Sequence, residues 1–594
     1  MTYHAPVADI LFALESAAGL SDLVKEGLYE GIDEDLIRSV LEEAGKFAAE
    51  ELAPLNVKGD RATSKLVDGG VTTPPGWKEA YKRWAEAGWA ALPCPTEHGG
   101  QGLPHIVSTA VYEMWNSANL SFGLCPLLTQ GAIDALHRYA PEEIKSRFLP
   151  KMVSGEWTGT MNLTEPQAGS DLGALTTRAV PQQDGTYRIF GTKIFITYGE
   201  HDLTDNIIHT VLARLPDAPP GTRGISFFVV PKFLVNPDGS LGRRNEVRAT
   251  GVEHKLGIHA SPTCVMTYGE KEGAVGYMIG EPNRGLQVMF VLMNAARLAV
   301  GVQGVAIAER ATQKAIEYAK ERKQGLSIGA TTKGMSPIIE HPDVRRTLML
   351  MKSLTAAARA ICLVTAKEHD VAKKAPDKAA REKAASRVAL LTPIAKAFST
   401  DAGVEVASMG VQIHGGMGFI EETGAAQYYR DARILPIYEG TNGIQAIDLL
   451  TRKLPMQGGK VVADYIGELK QVAEQVRASN RPEFGRMGER LAEANAALET
   501  ATRWMLKTLQ SHPDAALAGA TPYLRLFGIA AGGSYLARGA LHAVRSGGGN
   551  GAARHVPLAR FFAETIGAQA PGLAREVSEG ADAILGVPPS DIAV

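Results

Sequence analysis

Cysteine is scarce in this chain, which has four in 594 residues. The four are far apart and show neither the CxxC spacing of a redox motif nor the spacing of a zinc site. This scarcity argues against a disulfide framework and fits a reducing compartment. No basic segment precedes the first apolar stretch, so no secretory leader is predicted. The expected location is the cytoplasm, and no metal site is expected.

An excess of charge of one sign is also lacking, since 62 Lys+Arg stand against 64 Asp+Glu and the formal net charge is -2. No basic footprint therefore predicts a nucleic-acid or anionic-membrane partner. The longest apolar run, 289–308, is interrupted by Asn294 and Arg297. A charge at the centre of a membrane-spanning helix costs roughly 2.5–3.5 kcal/mol. The run is therefore interpreted as a buried core helix, and no membrane insertion is expected.

Several motifs of nucleotide-binding and hydrolytic enzymes are missing. The chain has no P-loop, no HExxH zinc motif and no GxSxG elbow. It also has no GxGxxG that opens a βαβ unit. A dinucleotide, if one binds, must therefore be held in a different way from that of a Rossmann fold.

What is present is a change from helical to strand-like sequence and back. Apolar residues recur every three or four positions before about residue 160 and after 285, whereas short β-branched runs separated by turns lie between. The pattern predicts a mainly helical α+β fold. The predicted parts are an N-terminal extension (1–32), a helical domain (33–160), an antiparallel β domain (161–282), a four-helix-bundle-like domain (283–453) and a C-terminal helical extension (454–594).

Three segments have compositions that suit a ligand site. The first, TEPQAGSD, begins at Thr164 and includes Gly169 and Ser170. Its hydroxyls and its permissive backbone suit contact with a ligand. The alternative is a turn in which Asp171 caps the next element, and the local pattern alone favours this alternative.

The second segment, GTKIFITYG, predicts a strand that carries Phe195 and Thr197 on one face, because strand side chains alternate. An aromatic face beside a hydroxyl suits a flat heteroaromatic ring. The alternative is a core phenylalanine with a threonine on the solvent side.

The third segment, 410–450, combines a glycine-rich stretch with the loop YEGTNG. Gly415 and Gly416 allow a ligand close to the backbone, and Gln412 offers both a donor and an acceptor. Glu439 in the loop suits a general base if substrate excludes water from its carboxylate. The alternative interpretation of Glu439 is a helix cap.

Taken together, the sequence resembles the acyl-CoA dehydrogenase family over about residues 85–453. The motifs TEPxxGSD, GxKxxIT, QxxGGxG and RDxRxxxIYEGTNxIQ, and a helix with Arg297, occur in the order of the family. The opening residues and the helical block after residue 453 resemble the long bacterial branch of this family, which has a C-terminal extension. The resemblance implies FAD-dependent α,β-dehydrogenation of an acyl-CoA thioester to a trans-2-enoyl-CoA, an oxidoreductase step of fatty acid β-oxidation.

The resemblance assigns the base to Glu439, which takes the α-proton while the β-hydrogen leaves as hydride to the flavin. The backbone N–H of Glu439 would hold the thioester oxygen together with a flavin hydroxyl. Some family members place the base just before the arginine of the Arg297 helix, but that residue here is Ala296. The implied substrate contacts are Ser170, Arg297 and Gly440.

The implied FAD contacts are Thr164, Ser170, Phe195, Thr197, Arg322, Gln412, Gly415, Gly416 and Thr441. Of these, Arg322, Gln412 and the two glycines match residues that reach the ADP half of FAD across a subunit interface. Two positions depart from the family pattern. Phe195 stands where tryptophan is usual, and the segment 323–325 lacks the phenylalanine that commonly follows Arg322.

The resemblance also implies a homodimer that passes electrons to electron-transfer flavoprotein. It implies short or medium acyl groups, either fatty acyl-CoA or 3-(methylthio)propanoyl-CoA. One alternative is an acyl-CoA oxidase, since the same chemistry can discharge to oxygen. Another is a non-catalytic relative that binds nucleic acid through a basic terminal domain, but residues 455–594 have 14 Lys+Arg against 13 Asp+Glu. A purely helical scaffold leaves the motifs unexplained.

Overall fold

The computed structural model describes residues 3–29, 31–329, 331, 334–547 and 553–593. The first part is helical, with α1 (Val7–Ser16), α2 (Leu20–Lys25), α3 (Glu34–Phe47), α4 (Ala53–Ala62), α5 (Trp77–Glu86), α6 (His105–Ala118), α7 (Leu120–Tyr139) and α8 (Glu142–Val153). A hairpin of β1 (Lys65–Val67) and β2 (Gly70–Thr72) lies between α4 and α5, and the helical prediction for 33–160 misses it. Its signal is the Asp68-Gly69 turn, where φ is 50° and 78°, because Asp-Gly favours the tight turn of a hairpin.

A sheet of eight strands forms the middle of the chain. Its strands are β3 (Trp157–Asn162), β4 (Arg178–Pro181), β5 (Tyr187–Thr197), β6 (Asn206–Arg214), β7 (Ile225–Pro231), β10 (Val247–Val252), β11 (Thr263–Tyr268) and β12 (Ala274–Ile279), and the separate pair is β8 (Phe233–Val235) with β9 (Leu241–Arg244). The order is β10-β11-β5-β12-β7-β6-β3, and β4 pairs with both β5 and β6. The strands β4, β5, β12, β7 and β6 therefore form a closed ring.

Most strand pairs are antiparallel, as the sequence predicts, but β6 pairs in parallel with β3 and, at one residue pair, with β4. The register of β3 with β6 runs from Trp157 opposite Asn206 to Asn162 opposite Val211. Parallel neighbours need a long crossover, and the segment 163–205, which includes β4 and β5, supplies it. The sequence does not show whether two strands pair in parallel, because the pattern of residues along a strand is similar in parallel and antiparallel pairs.

Three long helices form the bundle: α9 (Gly285–Glu321), α10 (Pro342–Lys374) and α11 (Lys378–His414). The shorter α12 (Ala425–Ala432) and α13 (Asn442–Asp448) follow. α9 and α11 pack through glycines, since a Cβ on Gly301 would meet the Ala395 carbonyl oxygen at 2.6 Å and one on Gly304 would meet the Ser399 carbonyl oxygen at 2.3 Å. The two backbones can approach this closely only because these residues have no side chain.

By length and composition alone, α9 and α10 are each long and apolar enough to cross a membrane. Most of the apolar stretch in each helix is, however, buried against the rest of the protein. This burial supports the interpretation of residues 289–308 as a core helix.

The C-terminal extension is a second helical layer. It consists of α14 (Lys460–Ala478), α15 (Met487–Ser511), α16 (Pro513–Ala518), α17 (Ala520–Arg545), α18 (His555–Thr565), α19 (Ala570–Glu579), α20 (Ala581–Leu585) and α21 (Pro589–Ile592). α14 packs through one apolar face, on which Val462, Ile466, Leu469, Val472 and Val476 are all buried. One continuous apolar core joins this extension to the bundle and to the N-terminal helices.

The two ends of the chain meet in what we term the terminal clasp, formed by Asp9, Phe12, Arg554 and His555. Asp9 on α1 forms an ion pair with Arg554, and its Oδ1 lies 3.6 Å from Nε2 of His555, the first residue of α18. The Phe12 ring stacks on the His555 ring, with centroids 3.6 Å apart. The N-terminal extension is therefore held by the last helices of the chain.

Candidate active site

Glu439 lies in a tight turn between α12 and α13. Its backbone has φ of 57°, and that of the following Gly440 has φ of 85°. The cap of α13 is Thr441, whose Oγ1 accepts a hydrogen bond from the Ile444 N–H at 3.2 Å. The alternative that Glu439 is a helix cap is therefore wrong. A left-handed backbone costs a non-glycine residue roughly 1–2 kcal/mol, and such strain clusters at functional sites.

The surroundings of Glu439 suit a base. Its side chain is half-buried, and burial raises the pKa of its carboxyl, while Arg297 and Lys396 act against this rise. Arg297 is itself buried in α9, and its Nε donates to the Glu439 carbonyl oxygen at 3.4 Å. A carboxylate with a raised pKa and cations nearby can remain ionised near neutral pH and still accept a proton.

Phe195 lies near the end of β5 at a bulge. The register with β11 shifts between the pairs Met266–Lys193 and Cys264–Ile196, and Phe195 itself has φ of 60°. The bulge leaves the ring 58% exposed, so the alternative of a core phenylalanine is wrong. Thr197 is half-buried on the same strand.

The first motif lies directly beside this strand. The Thr164 carbonyl oxygen accepts a hydrogen bond from the Ile194 N–H at 2.9 Å. Thr164 is half-buried, whereas Gly169 and Ser170 are exposed. Asp171 accepts from the Gly173 N–H at 2.8 Å, so the capped turn of the alternative interpretation is present as well. Capping by Asp171 leaves the hydroxyls of the motif free for other contacts.

A buried ion pair that the sequence does not predict joins the motif to the strand. Lys193 Nζ lies 2.8 Å from Glu165 Oε1, and Thr176 and Thr177 donate to the same carboxylate. Burial acts to raise the pKa of Glu165, but Lys193 and these hydrogen bonds lower it to about 2. The ion pair therefore ties the first motif, at the residue after Thr164, to β5, two residues before Phe195.

The base and the strand border one apolar cluster. Tyr438 and Leu163, the residues just before Glu439 and Thr164, both pack against buried side chains that include Leu128 of α7. Two parts of the predicted site thus border the same apolar cluster: the Glu439–Thr441 turn with Arg297, and the first motif and β5 with Thr164, Ser170, Phe195 and Thr197.

The remaining predicted FAD contacts lie elsewhere. Arg322 ends α9 and Gln412, Gly415 and Gly416 end α11, and the two helix ends lie side by side, since the Tyr318 and His414 rings stack at 4.5 Å. Between Arg297 and Arg322 the helix rises about 37 Å. A Cβ on either Gly415 or Gly416 would meet nothing within 4 Å, so both glycines face open space. We call this group the distal group.

One group of potential metal ligands is also not predicted from the sequence. Among the described residues, Glu97, His98 and His137 have ligand atoms within 4.8 Å of one another. His137 lies on α7, far along the chain from the other two residues. Because the two parts of the chain meet only in the fold, sequence spacing gives no signal for this group.

Family models match nearly the whole chain. The acyl-CoA dehydrogenase N-terminal domain matches residues 35–156, the middle domain 160–270 and the C-terminal domain 283–454. A model described as acetyl-CoA dehydrogenase C-terminal like matches residues 465–588, which is most of the C-terminal extension.

Individual relatives agree. The chain is 50% identical to 3-methylmercaptopropionyl-CoA dehydrogenase of Ruegeria pomeroyi over 91% of this chain and 92% of that protein. It is 38% identical to a butyryl-CoA dehydrogenase of Syntrophomonas wolfei over 84% of each. The solved structure of Caenorhabditis elegans ACDH-11 with C11-CoA shares the fold, with a TM-score of 0.77, 20% identity and coverage of 97% of this chain and 95% of that one. The chain therefore belongs to the acyl-CoA dehydrogenase family of FAD-dependent enzymes.

Proposed function

We propose that this enzyme oxidises short acyl-CoA thioesters at the Cα–Cβ bond, with 3-(methylthio)propanoyl-CoA as the first candidate, Glu439 as the base and electron-transfer flavoprotein as the acceptor. The observation that carries the proposal is the strained turn that holds a half-buried Glu439 beside Arg297. The proposed location is the cytoplasm, and the proposed role is the first oxidation of a β-oxidation sequence.

FAD, when bound, accepts the β-hydrogen as hydride. The chain supplies the rest of the chemistry. Glu439 takes the α-proton, and its backbone N–H donates to the thioester oxygen as negative charge develops there. A donor of this kind is typically worth about 2.7–4 kcal/mol in the transition state. Arg297 holds the turn through the Glu439 carbonyl oxygen, and its charge favours the ionised carboxyl.

The side chains around Phe195 fit a flavin. The exposed aromatic face of Phe195 offers a stacking surface, and the half-buried hydroxyls of Thr164 and Thr197 offer hydrogen bonds at its edge. Thr441 and Ser170 would contact the phosphate part of the cofactor. The open glycines of the distal group suit the close approach of an adenosine.

Both close relatives named above carry short acyl groups in their names, 3-methylmercaptopropionyl and butyryl. In this chain, Tyr438 next to Glu439 packs against an apolar cluster that includes Leu127, Leu128 and Leu292. The names of the two relatives support a short substrate.

Anaerobic titration with 3-(methylthio)propanoyl-, butanoyl-, octanoyl- and hexadecanoyl-CoA tests the substrate. We expect the first two to bleach the flavin absorbance with a second-order rate constant at least about tenfold above that of octanoyl-CoA. The reason is that misplaced methylenes in an apolar pocket cost about 1–3 kcal/mol. Best activity with hexadecanoyl-CoA would contradict the substrate proposal. A colourless protein would favour the non-catalytic relative.

The acceptor is tested in the same preparation by comparing reduction of electron-transfer flavoprotein with peroxide release in air. We expect reduction of the flavoprotein to account for turnover. Stoichiometric peroxide would assign the enzyme as an oxidase instead.

We also propose a homodimer, in which the distal group of one chain holds the ADP half of the cofactor of the other. The rise of about 37 Å between Arg297 and Arg322 is longer than one extended dinucleotide. The Glu439 turn with Arg297 and the distal group of the same chain therefore cannot both contact one FAD. The distal surface is also apolar, with Phe419 86% exposed and Met417 and Ile420 exposed beside it. Apolar patches of this kind mark protein interfaces.

Light scattering is expected to give about twice the 63.2 kDa mass of one chain. Phe419→Asp should lower the mass toward one chain and release FAD, because a buried unpaired charge weakens an apolar interface. Ile584→Asp, at an exposed apolar position in the C-terminal extension, serves as the control and should change neither. A mass of four chains, or FAD retained by a monomeric variant, would contradict the proposal.

A further inference from the structure

Lys396 is a buried cation close to the base. It lies in the middle of α11 with 0% of its surface exposed, and its Nζ donates to Asn442 Oδ1 at 2.8 Å. Burial of an ammonium group is costly unless the group is paired and hydrogen-bonded. Its acceptor here is a neutral amide, so the cost is only partly offset by this contact.

The amide that Lys396 holds is the anchor of the Glu439 turn. Asn442 is the first residue of α13, and its backbone N–H donates to the Pro436 carbonyl oxygen at 2.9 Å. Its side-chain Nδ2 donates to Asp401 Oδ1 at 2.7 Å and to the Ala397 carbonyl oxygen at 3.2 Å. Asn442 therefore ties the chain on both sides of Glu439 to one face of α11.

The charged groups that face Lys396 come from three elements. They are Glu439 in the turn, Asp401 on α11 and Arg297 on α9. Further out, Arg525 of α17 acts on Asp401, while Asp448 of α13 and Arg452 act on Arg297. Lys396 and Arg297 are thus two cations that act on the carboxyl of Glu439, one from α11 and one from α9.

We propose that Lys396 is a positioning residue for the dehydrogenation: it holds Asn442 and hence the Glu439 turn, and its positive charge stabilises the ionised form of the base. The inference rests on the proposed role of Glu439. Arg297 contacts the backbone of the turn, whereas Lys396 acts through the helix that follows it.

The charge of Lys396 has a definite pH range. Burial lowers the pKa of Lys396 to about 7, although Glu439 and Asp401 act to raise it. Below that pH the ammonium is charged and lowers the pKa of Glu439. Removal of the charge raises the pKa of Glu439, and since the base must be ionised, the acid limb of the rate profile then moves to higher pH. Above that pH the effect fades.

The test compares Lys396→Met, Asn442→Ala and the control Lys383→Met, an exposed lysine on the same helix. The rate of anaerobic flavin bleaching by butanoyl-CoA is measured across pH, with flavin content determined for each variant. We expect Lys396→Met to move the acid limb up by about one pH unit, the effect of one nearby charge. The loss of rate should be largest on the acid limb and smaller above about pH 8, where only the loss of the hydrogen bond to Asn442 remains. Asn442→Ala should lower the rate by about tenfold at all pH values, because it loosens the turn and leaves the charge.

A second readout does not depend on turnover. Proton uptake on binding crotonyl-CoA, measured by calorimetry in buffers of different ionisation enthalpy, reports the protonation of Glu439 directly. The pH of maximal uptake should move upward in Lys396→Met by the same amount as the acid limb. Lys396→Gln, which keeps a donor to Asn442 and removes the charge, replaces the Met variant if that variant does not fold.

A wild-type profile in Lys396→Met, or a loss of rate that is equal at every pH, would overturn the inference. Glu439→Gln separates the two levels of the proposal. If Glu439→Gln still bleaches the flavin, the proposed base is wrong. If it is inactive while Lys396→Met keeps the wild-type profile, only the role of Lys396 is wrong.

Discussion

Replacement of Glu439 by glutamine is expected to lower the rate of flavin bleaching by about 10⁴-fold, the upper end of what a general base contributes. The amide keeps the size of the carboxylate but cannot accept the α-proton. FAD should remain bound, because the residues proposed to hold it, apart from Thr441, lie on β5, on the first motif and in the distal group. The measurement is a stopped-flow bleaching rate with excess butanoyl-CoA, together with the ratio of flavin to protein.

Glu499→Gln is the matched control, since Glu499 is a glutamate of the C-terminal extension whose carboxylate pairs with Lys470 at the surface. It should bleach at the wild-type rate. Loss of flavin in Glu439→Gln would show that the turn holds the cofactor, and a rate within tenfold of wild type would assign the proton to another group.

Lys193→Met is expected to have the largest effect on stability. It leaves the buried carboxylate of Glu165 without its cation, and loss of one partner from a buried pair costs roughly 3–5 kcal/mol. Thermal and urea unfolding should show the loss. Arg248→Met is the control, because Arg248 pairs with Glu270 on an exposed face of the same sheet, and exposed pairs contribute at most about 1 kcal/mol.

The double variant Glu165→Gln/Lys193→Met should recover most of this stability, since it leaves no unpaired buried charge. The pH dependence gives a separate check. The pKa of Glu165 falls from 4.5 to about 2 on folding, so its contribution is present above about pH 4.5 and is lost as the pH falls toward 2. Glu165→Gln should remove this acid sensitivity. Equal stability of Lys193→Met and wild type would show that the pair contributes nothing.

The order of helix, sheet and helix was readable because the spacing of apolar residues differs between helices and strands. The parallel pairing of β3 with β6 was not readable, because pairing direction depends on the path of the chain. The bulge at Phe195 was equally hidden, since an aromatic residue gives no sign of a left-handed backbone. The same holds for Glu439, where only the following Gly440 points to a tight turn.

The residues of the candidate site also fall into those that the sequence predicted and those that it did not. The motifs pointed to Glu439, Phe195 and Thr164, whose roles remain predictions. The roles of Lys193, the lysine of GxKxxIT, and of Lys396 were not predicted, because each role depends on a partner that lies 28 and 46 residues away in sequence. A lysine is normally exposed, and its burial next to a predicted site is visible only in three dimensions.

The terminal clasp sets an order of events during synthesis. Asp9 and Arg554 are 545 residues apart, and a ribosome adds about 5–20 residues per second. α1 therefore leaves the ribosome roughly half a minute to two minutes before α18 exists. During that time Phe12 has no His555 ring to stack on, and Asp9 has no Arg554 to pair with. A chain that stops before α18 lacks both contacts, so its N-terminal extension is held only by the packing of α1 against helices such as α10 and α17.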